Sequence, residues 1–224
     1  GRMILSMASN VIAYAGITGF DIILYLSRIL QKLGRKVLIA DYNETMALTY
    51  SIPKACGIDT FTEISTYMNI DFTGKAIDEA IIAEYDDILL DCGFGMPPFD
   101  ISFLTKVIFI SDMFEFNLKR LSQTPFYDRL PVKKELLVRD AADIDITADR
   151  MLSILKKDIG KVQLLYHDEA DYQNAILCHY NKLVRFAGIS AMLKKYLLDE
   201  LVLMVKDISF RQLKAALKKA GRGK

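Results

Sequence analysis

The chain has 224 residues, 52% of them apolar and 25% charged, the balance of an ordinary globular domain rather than of a disordered or fibrous protein. Its 29 Lys and Arg against 28 Asp and Glu leave a formal net charge of +1, so no overall field draws in nucleic acid or an anionic membrane, and any such attraction has to come from a local patch. Three cysteines, Cys56, Cys92 and Cys178, stand far apart without a C-x-x-C pair, which argues against a disulfide framework or structural zinc and fits a reducing cytosol. Two histidines, His167 and His179, do not by themselves make a metal site, and no metal is expected.

The opening stretch Met3–Gly16 has Arg2 in front, and Ala13-Tyr14-Ala15 imitates a signal-peptide cleavage site. Ser6, Ser9 and Asn10 break its apolar middle, so a buried strand over Val11–Ala15 is the expectation. A helix follows over Asp21–Leu33, where Ile22, Leu26, Ile29, Leu30 and Leu33 recur at three- and four-residue spacing before Gly34. Lys36–Asp41 is a second apolar strand, and a strand, glycine turn, helix and strand within about 30 residues make a βαβ unit with parallel strands. The alternation continues with a helix over Lys75–Glu84, a strand over Asp87–Asp91 and a loop at Gly93 and Gly95. Next come a strand over Lys106–Ser111, a helix over Glu115–Gln123, a strand over Glu135–Arg139, a helix over Thr147–Lys157 and a strand over Val162–Tyr166. Helices over Asp171–Tyr180 and Ala191–Val205 follow. Short buried strands alternating with helices imply an α/β fold: one doubly wound, mostly parallel sheet flanked by helices. No run approaches the roughly 18 apolar residues of a membrane-spanning helix. The richest, Leu197–Val205, is interrupted by Asp199 and Glu200, so a soluble, cytoplasmic chain is expected.

In such sheets ligands bind beyond the carboxyl ends of the strands. Those ends are the Gly16–Gly19 turn, Asp41, the Asp91–Gly95 loop, Ser111–Asp112 and Arg139. Two carboxylates at strand ends beside a glycine turn that opens a helix are the layout of a nucleotide and magnesium site.

The order and spacing of these segments resemble the ParA/MinD branch of P-loop ATPases over nearly the whole chain. Val11–Gly19 is similar to the first strand and phosphate loop. Leu33-Gly34-Arg35-Lys36-Val37-Leu38-Ile39-Ala40-Asp41 is similar to the second strand, "G-[KR]-K-V-L-L-I-D". Tyr85-Asp86-Asp87-Ile88-Leu89-Leu90-Asp91 resembles the Walker B strand, "Y-D-x-I-I-I-D", and Leu165–Glu169 resembles the "I-P-x-D" of the late adenine-side loop. The phosphate loop departs from the family's K-G-G-x-G-K-[ST]-[ST]. Here it reads Ala15-Gly16-Ile17-Thr18-Gly19-Phe20-Asp21-Ile22, with Ala15 at the lysine that reaches across a dimer, Phe20 at the phosphate lysine and Asp21 at the magnesium hydroxyl.

Losing that lysine removes a charge-assisted contact of roughly 1.5–3 kcal/mol. Asp21 adds a negative charge where the helix N-terminus would otherwise welcome an anion, and it stabilises its own helix instead by about 0.3–1 kcal/mol. ATP hydrolysis by the usual mechanism is therefore not expected. Gly16, Gly19, Phe20, Asp21, Asp41, Asp91 and Arg139 are read as a vestigial nucleotide site, with no catalytic residue and no cofactor. Asp41 and Asp91 would position water and magnesium in an active relative, and are read here as strand-end caps or turn formers. The alternative is an active switch binding ATP with magnesium, in which Lys36 or Lys106 supplies the missing charge.

Asp140, Asp143, Asp145 and Asp149 imitate a calcium loop but lack its glycine and final glutamate, and a solvated turn capped by Asp145 or Thr147 is preferred. Cys92, beside Asp91 with no histidine near in sequence, is read as a small buried filler. The stripe of Leu193, Leu197, Leu201 and Met204 reads as core, with a subunit interface as the alternative. Residues 1–209 are taken as the α/β domain and 210–224 as a basic amphipathic helix or tail. Its Phe210, Leu213 and Leu217 share a face, and Lys214 and Lys218 belong to a run of cations without an acid. This segment looks like the membrane-targeting tail of MinD-type proteins, implying peripheral contact with the inner face of the membrane; the alternative is the fold's last helix lying on the sheet with a frayed basic end. Together the resemblance implies a bacterial, non-catalytic scaffold or localisation protein with protein partners in a larger assembly. The TadZ/CpaE proteins of pilus assembly are the nearest such group. A homodimer is compatible with the family, whereas nucleic acid is not favoured by the charge balance.

Overall fold

The computed structural model describes residues 9–54 and 63–223; residues 3–8 of the opening stretch, Cys56 and Lys224 lie outside them. The strands are β1 (Asn10–Gly16), β2 (Val37–Asp41), β3 (Ser65–Tyr67), β4 (Ile70–Thr73), β5 (Asp87–Gly93), β6 (Lys106–Ser111), β7 (Lys133–Ala141) and β8 (Lys161–Tyr166). They form one sheet in the order β3-β4-β2-β5-β1-β6-β7-β8, parallel throughout except for the β3–β4 hairpin at one edge. The expected parallel sheet is thus observed, with β1 at its centre between β5 and β6. The helices are α1 (Phe20–Lys32), α2 (Ala47–Ser51), α3 (Glu79–Ile82), α4 (Glu115–Ser122), α5 (Ala148–Leu155), α6 (Glu169–Asn181), α7 (Ala191–Met204) and α8 (Phe210–Gly221).

Strict alternation along each central strand feeds two cores, because successive side chains point to opposite faces. Ile12 and Tyr14 of β1 join α1, α7 and α8 on one face, while Val11, Ala13 and Ala15 join α4 and α5 on the other. Both faces are covered, which is why these strands read as continuous apolar runs. At the amino ends of the strands, charges are paired internally. Lys106 Nζ lies 2.8 Å from Glu200 and 3.0 Å from Glu135, and Arg35 grips Asp87. Asn10 donates to Asp87 and to the Met204 carbonyl, tying β1 to the end of α7.

Two expectations are corrected. The helix expected over residues 75–84 is only the four-residue α3, because the Asp78 side chain caps it by accepting the Ile81 N–H. α6 starts earlier than Asp171, at Glu169, because Asp168 accepts the N–H groups of Ala170 and Asp171. Before α5, of the two caps expected it is Thr147 that accepts the Arg150 N–H. The C-terminal segment folds back as a regular helix: Ser209 and Gln212 form a reciprocal capping box, and Leu213, Ala216 and Ala220 are buried against the core that contains α1.

Candidate functional site

The loop from β1 to α1 is only Ile17-Thr18-Gly19, and it turns sharply enough to require glycine at its start. Gly16 has φ +121°, and a Cβ there would stand 2.1 Å from the Ile110 carbonyl oxygen of the neighbouring strand. The Ile17 N–H donates to that same carbonyl at 3.1 Å. The Thr18 hydroxyl donates to Asp91 at 2.7 Å and accepts the Phe20 N–H at 3.3 Å, so the centre of the loop is occupied by its own side chain.

Asp21, in the first turn of α1, is 2% exposed. Both its oxygens accept from Arg139 at the end of β7, at 2.5 and 2.7 Å, a bidentate pair between residues 118 apart in sequence. Burial works against the Arg139 charge, but the Asp21 carboxylate outweighs it and holds the guanidinium above its ordinary pKa. The Phe20 ring stands edge-on to His179 of α6 at 5.9 Å, and His179 Nδ1 lies 3.0 Å from the Ser51 hydroxyl.

Asp41 and Asp91 pair in register across β2 and β5, both buried. Asp41 accepts the N–H and hydroxyl of Thr49 at 2.8 and 2.7 Å. Asp91 accepts from Asn43 and Thr18, each at 2.7 Å. Burial raises both carboxyls, Asp91 to about 7, against the pull of its two donors. Neither lysine considered for this end is near it. Lys106 starts β6, level with Ile12, and Gly16 lies four residues or about 13 Å further along β1. Lys36, just ahead of β2, pairs with Glu84 at 3.5 Å and stacks on Tyr85.

The structure therefore brings Gly16, Gly19, Phe20, Asp21, Asp41, Asp91 and Arg139 to the carboxyl ends of β1, β2, β5 and β7. Beside them opens a cavity of about 340 Å³ between the Ile17–Asp21 segment, the ends of β7 and β8, and α6. Sequence reasoning missed the Thr18, Asn43 and Thr49 donors, which carry no motif of their own, and the α6 wall of this cavity. Among the described residues no group of three or more His, Cys, Asp or Glu side chains is placed to hold a metal ion. Cys92 and Cys178 are both buried. Of the five C-terminal residues expected to meet a membrane, Leu213 is buried and Leu217 half-buried, while Phe210, Lys214 and Lys218 face outward.

No family model matches the chain, and no curated protein matches it. Solved structures do. A ParA family ATPase from Chlorobium tepidum TLS superposes with a TM-score of 0.59 at 14% identity, over 84% of this chain and 97% of that one. The fold is that of the ParA/MinD ATPases. The MinC:MinD cell division protein complex of Aquifex aeolicus gives 0.57 at 13% identity, over 90% of this chain and 99% of that one. Apo McdA of Cyanthece gives 0.53 at 11% identity, over 93% and 99%. At these identities the likeness is one of fold. Within this fold, Asp21 in the first turn of α1 is held in an internal ion pair with Arg139.

Proposed function

We propose that this chain is a non-catalytic localisation or scaffold protein built on the ParA/MinD fold, acting in the cytoplasm with the protein partners of a larger assembly such as a pilus or secretion apparatus. The observation that carries this reading is the bidentate Asp21–Arg139 pair at the start of α1. A helix N-terminus attracts phosphate through its free N–H groups and its dipole, and here a buried carboxylate stands in that field. Among the described residues no lysine lines the adjoining cavity, its one guanidinium, Arg139, is already held by Asp21, and the Thr18 hydroxyl is committed to Asp91. The side chains present do not fit a magnesium-bound triphosphate, so no chemistry is routed through one. A homodimer would then be assembled by protein surfaces rather than around shared nucleotide. The MinC:MinD complex among the similar structures supports protein partners as the working mode of this fold.

Calorimetric titration with ATP and ADP, with and without magnesium, tests the reading. No heat up to about 1 mM nucleotide, a bound of roughly −4 kcal/mol, is the expected result. Micromolar, magnesium-dependent binding would overturn it and put the nucleotide switch first. That second reading is favoured by one observation, the retention of the buried Asp41–Asp91 pair on adjacent strand ends.

A further inference from the structure

The cavity beside Asp21 has a composition that points to a different occupant. Its apolar lining comes from Ile17, Phe20, Leu165, Ile176 and Leu193. Its mouth carries three tyrosines, Tyr166, Tyr172 and Tyr180, which are 44%, 55% and 79% exposed. Four carboxylates line it, Asp21, Asp140, Asp168 and Asp171, against the single guanidinium of Arg139. Even with His167 protonated beside Asp140, acids outnumber cations.

The hydrogen bonds decide which of these acids are spent. Asp21 gives both oxygens to Arg139, and Asp171 gives both to the N–H and hydroxyl of Ser190, each at 2.6 Å. Asp140 uses only Oδ1, on His167, and Asp168 uses only Oδ1, as the cap of α6. Among the described residues, one oxygen of each remains without a hydrogen-bond partner, beside aromatic faces that attract a cation through their quadrupoles. A volume of about 340 Å³ is near the lower end of the range that small-molecule pockets occupy.

We propose that this cavity binds a small amphiphilic cation, an aromatic or aliphatic body bearing an amine, with the body against Phe20 and Ile176 and the ammonium at Asp140 and Asp168. The inference rests on the reading that a triphosphate does not occupy this end of the sheet. The ligand would serve a localisation protein as a signal.

The chain contains no tryptophan, so an indole probe reports alone. Tryptamine fluorescence anisotropy would be followed on addition of the full chain, with indole-3-propionate as the anionic counterpart of similar size. Tryptamine is expected to bind roughly tenfold or more tightly than indole-3-propionate, and the Asp140→Asn/Asp168→Asn variant to lose about tenfold for tryptamine alone. Asparagine caps a helix and tolerates the φ of +49° at residue 140, so the variant should melt as the parent does. Equal binding of the two probes, no binding of tryptamine at about 1 mM, or an unchanged affinity in the variant would each overturn the proposal. Magnesium ATP binding with the amine preference intact would overturn only the non-catalytic reading. An anion preference without ATP binding would overturn only this one.

Discussion

Asp91 is a carboxylate whose environment disagrees with itself. Two hydrogen bonds stabilise its charged form, while 1% exposure and the neighbouring Asp41 oppose it, and burial wins, pushing the pKa up to about 7. The unfolded chain releases this proton near the ordinary aspartate value of about 3.9. Between roughly pH 4 and 7 the folded state therefore holds more protons, and this residue's contribution to stability falls as pH rises through that window. Asp91→Asn removes the titration at a cost that does not vary with pH. The unfolding free energy of the variant relative to the parent should shift in the variant's favour by up to about 1.4 kcal/mol per pH unit across the window. Urea denaturation at pH 5 and pH 7 checks this; parallel changes in the two proteins would show that Asp91 is ionised throughout.

At the scale of elements, α8 shows how an amphipathic pattern is spent. Leu213 is 1% exposed against the core that contains α1, so Leu213→Ala should cost about 2–4 kcal/mol in denaturant unfolding. An unchanged midpoint would mean that the helix is detached in solution. The hydrophobic period made α8 legible as a helix but not its partner, because a buried stripe and a membrane-facing stripe have the same spacing. Five strands, β1, β2 and β5–β7, were legible for a related reason: a strand buried on both faces is a run of apolar residues, and here each run ends at a polar or glycine residue; the edge strand β8 was legible from Val162, Leu164 and Leu165 although only Leu165 is buried. The β3–β4 hairpin was not. Its turn uses Met68 and Asn69, both at positive φ, in place of the Asn-Gly that would have announced it. Within the site, the strand-end aspartates were readable from their positions. The Asp21–Arg139 pair was not, since nothing in the local sequence around either residue names a partner 118 positions away.

For the whole molecule, a net charge of +1 conceals a local concentration. Arg211, Lys214, Lys218, Lys219 and Arg222 occupy the outward side of α8, and none takes part in an ion pair among the described residues. Lys32 of α1 lies close enough for Lys219, after burial and Arg28, to lower its pKa. No helix among the described residues is long and apolar enough to cross a membrane. With Leu213 turned inward, contact with an anionic bilayer would be electrostatic, at about 1 kcal/mol per cation. Cosedimentation with phosphatidylglycerol vesicles should be seen at about 50 mM salt and lost by about 300 mM. Lys214→Glu/Lys218→Glu should abolish it without changing the melting temperature. Binding that persists in high salt would instead mean that the apolar face unpacks and inserts. The seating of α8 against the core of α1 also bears on how the protein is made. Residues 20–32 find their cover only when residues 210–221 have followed them from the ribosome, and β1 is tied to Met204 over a similar span. Contacts so distant in sequence are slow to form. At roughly 5–20 residues per second the first helix waits on the order of ten seconds or more with an apolar flank uncovered, an interval that a chaperone would have to guard.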